Sequence, residues 1–145
     1  MRYWLCITTP KNWEIVKKNN VWGVEERYET TMKRLELNDL FLFYITNPAK
    51  AIGGIYEVAS KWYYDEKSLD WNKLYPHRIK IIPFVVPPVS IPVDEKLLEE
   101  LLFITDKSRR GRTVFFFPSM VLLTEEDYKT VEKWLQQKIN MLKQL

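Results

Sequence analysis

The chain has 145 residues, with 22 basic and 19 acidic side chains and a net charge of +3. That length gives one domain over residues 1–145, large enough to fold without a disulfide or metal staple. One Cys and one His exclude a Cys/His zinc site, an intrachain disulfide and a Cys-x-x-Cys redox pair.

Tyr3 to Thr8 is the first β-rich run, and Thr9-Pro10 reads as a helix start, a hydroxyl N-cap followed by Pro at the first helical position. That helix stops near Asn19-Asn20. Val21-Trp22-Gly23-Val24 has no helical period and reads as an extended or looped piece before a short helix near Glu29 to Leu35. Leu40 to Ile45 is a continuous apolar run of strand length, as in a strand buried on both faces of a small barrel. Ala51 to Ser60 returns as the next strand, with Gly53-Gly54 marking a bulge, a bend or a close backbone approach.

Trp62 to Pro76 is a polar connection studded with Trp62, Tyr63, Tyr64, Trp71 and Tyr75. The β-rich stretch Arg78 to Ile91 is broken by Pro83 and Pro87-Pro88, which predicts an edge position or two shorter strands. Asp94 caps a helix whose Leu97, Leu98, Leu101 and Leu102 share a face. A basic loop then precedes a short strand at Thr113 to Phe117. Thr124 opens the longest helix, with Tyr128, Val131, Leu135, Ile139 and Leu142 at three- and four-residue spacings. The sum is an α+β pattern of about six strands and four helices, a small sheet curled into an open β-barrel with flanking helices.

Met1 to Leu5 carries no signal-peptide pattern, and no apolar run approaches the ~20 residues of a membrane-spanning helix. A cytoplasmic protein without a membrane partner is expected. The excess of Lys over Arg and Glu over Asp hints at a thermophilic source.

Catalytic chemistry is thinly supplied. His77 is the only imidazole, read as a surface or strand-end residue, and there is no Gly-x-Ser-x-Gly elbow. Four glycines leave no loop to cradle phosphates, and no cofactor is expected. Glu99-Glu100 and Glu125-Glu126 are helix neighbours pointing in different directions. Three other features stand out: Trp22-Gly23-Val24 in an irregular segment, the Trp62-Tyr63-Tyr64 cluster, and the loop carrying Lys107, Arg109, Arg110 and Arg112. Rings on which a base can stack, beside arginines that reach phosphates, sketch a pocket for one base.

The order of these pieces resembles the EVE domain family of the PUA-like superfamily, which is related to the YTH and ASCH domains. The resemblance rests on Tyr3-Trp4-Leu5, Thr9-Pro10-x-Asn12-Trp13, Val21-Trp22-Gly23-Val24, Phe43-Tyr44-Ile45-Thr46 and Ile52-Gly53-Gly54-Ile55-Tyr56-Glu57-Val58. It continues through Leu37-x-Asp39 and Tyr64-Asp65, over essentially the whole chain. It implies an open barrel of five to six strands that holds a single, often modified, nucleobase in an aromatic cage. Trp22 matches the first wall of that cage and Trp62 the second, with Tyr64 beside it. Thr46 and Asn47 fall where a small polar residue bonds the base edge, alongside the Gly23-Val24 backbone. The chain departs from the family's Trp-x-Gly-Val by lacking a residue between Trp22 and Gly23, and Glu25-Glu26 follows that motif.

The leading expectation is therefore a non-catalytic module that binds nucleic acid, RNA rather than DNA, around one base. Lys107, Arg109, Arg110 and Arg112 would hold the phosphates. Two alternatives stay open. One is a nuclease of the kind proposed for ASCH relatives, built on Glu57, Lys61 and Arg27. The other is self-association as a homodimer through the helix from Thr124 to Leu145.

Overall fold

The computed structural model describes residues 1–101 and 119–144. The strand expected at Thr113 to Phe117 and the basic loop lie outside the described residues. The chain begins with β1 (Tyr3–Thr8) and α1 (Pro10–Asn19). The Thr9 hydroxyl accepts the Asn12 N–H at 3.2 Å, and Asn20 ends the helix in the left-handed region at φ 52°. Next come β2 (Val21–Val24), a 3-10 turn at Glu26–Tyr28 and α2 (Glu29–Lys33). The sheet's central pair, β3 (Leu40–Ile45) and β4 (Ala51–Val58), precedes β5 (Tyr63–Tyr64), β6 (His77–Val85) and β7 (Ile91–Pro92). α3 (Glu95–Glu100), β8 (Met120–Leu123) and α4 (Glu125–Lys143) complete the described elements.

Six strands run β2-β6-β4-β3-β1-β8 in a curled half-barrel, with β5 added to β6 and β7 to β4. β1 and β3 are parallel, and the other pairings are antiparallel. The architecture is the α+β open barrel expected from the sequence. Alternation along β1 and β3 explains their continuous apolar runs. Leu5, Ile7, Leu42 and Tyr44 face a core shared with Leu97, Tyr128, Val131 and Leu135 of α3 and α4. Trp4, Cys6, Phe41 and Phe43 face a second core with Trp13 and Val16 of α1. Both faces of this sheet are covered, so the run needs no polar alternation. Each such side chain removed from water contributes about 1.5–3 kcal/mol.

Three local features differ from the sequence reading, or refine it, for non-local reasons. Val21–Val24 is a regular strand because Arg78–Lys80 and His77 of β6 lie alongside it, in register Trp22 to Ile79 and Gly23 to Arg78. β6 is an interior strand despite Pro83, since the register with β4 shifts between Ile55 and Tyr56 beside that proline. A residue without an N–H is tolerated where the ladder is already interrupted. The Gly53-Gly54 pair does sit at a bulge opposite Phe43 and Tyr44. A Cβ on Gly53 would lie 2.6 Å from the Trp13 ring, so this glycine is what seats α1 on the sheet.

Candidate functional site

A cavity of about 170 Å³ opens where the start of α1 meets β2, the ends of β1 and β3, and the segment before β6. Its aromatic walls are Trp22, Trp71 and Tyr75, and its polar edge comes from Thr8, Thr9, Asn12, Thr46 and Ser119. Among the described residues, no charged side chain lines it. It is small beside the roughly 300–1,000 Å³ of sites for drug-sized molecules. Trp22 is 3% exposed, packs edge-on against Phe43 at 5.4 Å, and its Nε1 has no hydrogen-bond partner among the described residues.

The outer wall is held by three sets of contacts. A Cβ at Gly23 would come within 2.8 Å of two Trp71 ring atoms, so the absence of a side chain there is the space the indole fills. Trp71 and Tyr75 meet edge to face at 5.6 Å. Asn12 and Asn72 bond reciprocally. The Asn12 amide donates to Asn72 Oδ1 at 2.8 Å, and the Asn72 N–H donates to Asn12 Oδ1 at 3.2 Å. The Tyr75 hydroxyl donates to the same Asn72 oxygen at 3.0 Å. Burial pushes the Tyr75 phenol above its ordinary value.

The acids near the mouth are partnered. Glu25 pairs with Lys73 at 2.8 Å, and that hydrogen bond holds its carboxyl below the usual range. Glu26 bonds His77 Nε2. His77 is at the strand end, as expected, yet it is 1% exposed rather than on the surface. Glu26, Glu29 and His77 bring ligand-type atoms within 4.8 Å of one another. However, the Trp62 indole N–H donates to His77 Nδ1 at 3.0 Å. An indole nitrogen only donates, so Nδ1 is the acceptor and the neutral ring carries its proton on Nε2, facing Glu26. The nitrogen that would have to bind a metal is thus a hydrogen-bond donor.

The site residues expected from the sequence separate into groups. Trp22, Gly23 and Thr46 come together at the cavity. Val24 is fully buried in the second core, and Asn47 is exposed and does not line the cavity. Trp62 does not line this cavity. It stacks on His77 at 5.8 Å, lies under the Lys33 ammonium at 4.8 Å, and borders a separate hollow with Lys61 and Leu37. Tyr64 is 50% exposed and bonds Glu66 at 2.7 Å. Lys107, Arg109, Arg110 and Arg112 lie outside the described residues. No ion pair or hydrogen bond among the described residues joins Glu57, Lys61 and Arg27. The sequence reading missed Asn12, Trp71 and Tyr75 as cavity walls. Their signal was weak: a polar residue in the first helical turn, and two rings in a connection that has no repeat.

A family model described as the EVE domain matches residues 2–134. The UPF0310 protein PH1033 of Pyrococcus horikoshii is 35% identical, over 93% of this chain and 99% of its own length. The UPF0310 protein PYRAB08750 of Pyrococcus abyssi is 38% identical, over 93% of this chain and 100% of its own. Among solved structures, the Mmi1 YTH domain in complex with RNA superposes with a TM-score of 0.71. The likeness covers 97% of this chain and 80% of that one at 10% identity, a similarity of fold.

Proposed function

This chain belongs to the EVE domain family, and from that premise we propose that it is a nucleic-acid-binding module that holds one base in the cavity between Trp22 and Trp71. The observation that carries this reading is the combination of aromatic walls with an edge that is polar and uncharged among the described residues. A nucleobase is planar, neutral and rimmed with donors and acceptors, so it matches both features. Stacking on an aromatic ring contributes about 1–3 kcal/mol whatever the base. Asn12 is fixed by Asn72, which leaves Thr46, Thr8 and the backbone near Gly23 to read the base edge.

The partner in this reading is RNA rather than DNA, presented as a single strand or with the base flipped out. A methyl group on the base adds apolar area to the stack and leaves water, which favours a modified base. Lys107, Arg109, Arg110 and Arg112 supply phosphate contacts in the same proposal. The fold likeness to a YTH domain solved with RNA supports a binding role over a catalytic one.

The test is a calorimetric titration with single-stranded oligonucleotides that differ at one base, methylated or not, in RNA and DNA forms. Saturable binding that Trp22→Phe weakens and Trp71→Ala weakens by about 5-fold or more is the expected result. Equal affinity in the wild type and in both variants would overturn the reading.

A second reading is self-association. Exposed Val89, Met141 and Leu142 flank an apolar groove between the end of α4 and the stretch before β7. Light scattering across a concentration series measures it without nucleic acid.

A further inference from the structure

Arg78 is the most deeply buried cation among the described residues, at 2% exposure. It sits on β6 directly opposite Gly23 of β2. Cross-strand partners share a face of the sheet, so the missing side chain at Gly23 and the long one at Arg78 shape the same spot. Trp71 fills it, against Gly23 and with the Arg78 guanidinium 5.2 Å from its ring centroid.

The guanidinium also ties down the chain on both sides of that ring. Its Nε donates to the Tyr75 carbonyl at 3.0 Å, and Nη2 donates to the Lys67 carbonyl. Nη1 lies 3.5 Å from Asp65 Oδ2. One planar fork therefore holds residues 65, 67 and 75, the start and the end of the segment that carries Trp71. This segment has no strand or helix between Tyr64 and His77 to order it.

We infer that Arg78 is the positioning residue of the cavity: it fixes the segment 65–75 so that Trp71 stands as a wall opposite Trp22. The inference deepens the base-binding reading and rests on it for its functional consequence. Lysine cannot replace the device. An ammonium offers a point charge, not a rigid fork that serves two carbonyls and a carboxylate while stacking on an indole.

Two measurements on the intact chain test this. Hydrogen exchange followed by mass spectrometry reads the order of the 65–75 segment with no ligand present. In Arg78→Lys this segment should exchange about tenfold faster or more, as for loss of hydrogen bonds to a charged group, while β1, β3 and β4 stay protected. Asp65→Asn, which removes only the exposed partner, should give a smaller change of the same sign, and it decides the matter if Arg78→Lys fails to fold. Unchanged protection of the segment in the folded variants would overturn the inference. Titration with a single-stranded RNA carrying one methylated base separates the two levels. Weakened binding in Trp71→Ala with full protection and affinity in Arg78→Lys would remove Arg78 and keep the base-binding reading. A loosened segment with wild-type affinity in both variants would keep Arg78 as the clamp and remove the base-binding reading.

Discussion

The Trp62 indole N–H points at Nδ1 of His77 and donates to it over 3.0 Å, which fixes the direction of the only imidazole in the chain. The bond engages a ring the sequence offered as a stacking wall, and it turns the other ring nitrogen into a donor toward Glu26. Because His77 is unique, its nitrogen resonances can be assigned without ambiguity. Nitrogen NMR at neutral pH should show the Nε2-protonated tautomer. In Trp62→Phe that preference should relax, and stability should fall by about 0.5–1.5 kcal/mol for the lost hydrogen bond. An Nδ1-protonated ring in the wild type would contradict the geometry.

Two glycines make the same demand for opposite purposes. Gly53→Ala would push a Cβ to 2.6 Å from the Trp13 ring, inside the second core. Overpacking of this kind costs about 1–3 kcal/mol, read as a lower midpoint in urea. Gly23→Ala would instead displace Trp71 at the surface of the cavity. Its expected signature is lost oligonucleotide binding with a smaller loss of stability.

Trp71→Ala is the cleanest probe of the cavity, because that ring is only half-buried while Trp22 also supports Phe43. Removing one stacking surface should weaken binding by about 5- to 150-fold. Trp62→Phe should leave the affinity near that of the wild type. The reverse ranking, measured by fluorescence anisotropy, would move the wall to Trp62.

Binding through this cavity should be flat with pH. Tyr75 is the one titratable side chain among the described residues of its lining, and burial raises its phenol above the ordinary value. Between about pH 6 and 9 it stays neutral and keeps donating to Asn72. An affinity that changes tenfold across that range would point to a charged contact elsewhere.

Asp94 links α3 to α4, and its acid dependence has a definite sign. Its carboxylate accepts the Leu97 N–H at 2.9 Å, the Trp134 indole N–H at 3.2 Å and Lys138 at 3.3 Å. The Leu97 hydrogen bond, helped by Trp134 and Lys138, holds the carboxyl below its usual range. The folded state therefore binds the proton less readily than the unfolded chain. The stabilisation is complete above the ordinary carboxylate range and is lost as pH falls through the lowered value. Asp94→Ala should cost about 1 kcal/mol at neutral pH, typical of an N-cap, and much less in acid. Thermal melts at both pH values measure the difference.

The sequence alone determined everything that depends on neighbours along the chain. Thr9, Asp94 and Thr124 cap helices because an N-cap acts within three residues. Leu40–Ile45 reads as a two-faced strand because the apolar run itself states that both sides are covered. The ordered motifs from Tyr3-Trp4-Leu5 to the Gly53-Gly54 strand carried the family and hence the open barrel. The tertiary structure alone decided which ring faces which. Trp62 and Trp71 look alike in sequence, two indoles in one aromatic-rich connection with no regular period to orient them. Their roles separate only because β6 returns beside β2. That pairing sets Arg78 opposite Gly23 and hands Trp71 to the cavity, while His77 one position earlier takes Trp62. Side-chain partners across a sheet are fixed by register, and register is a property of two distant segments at once.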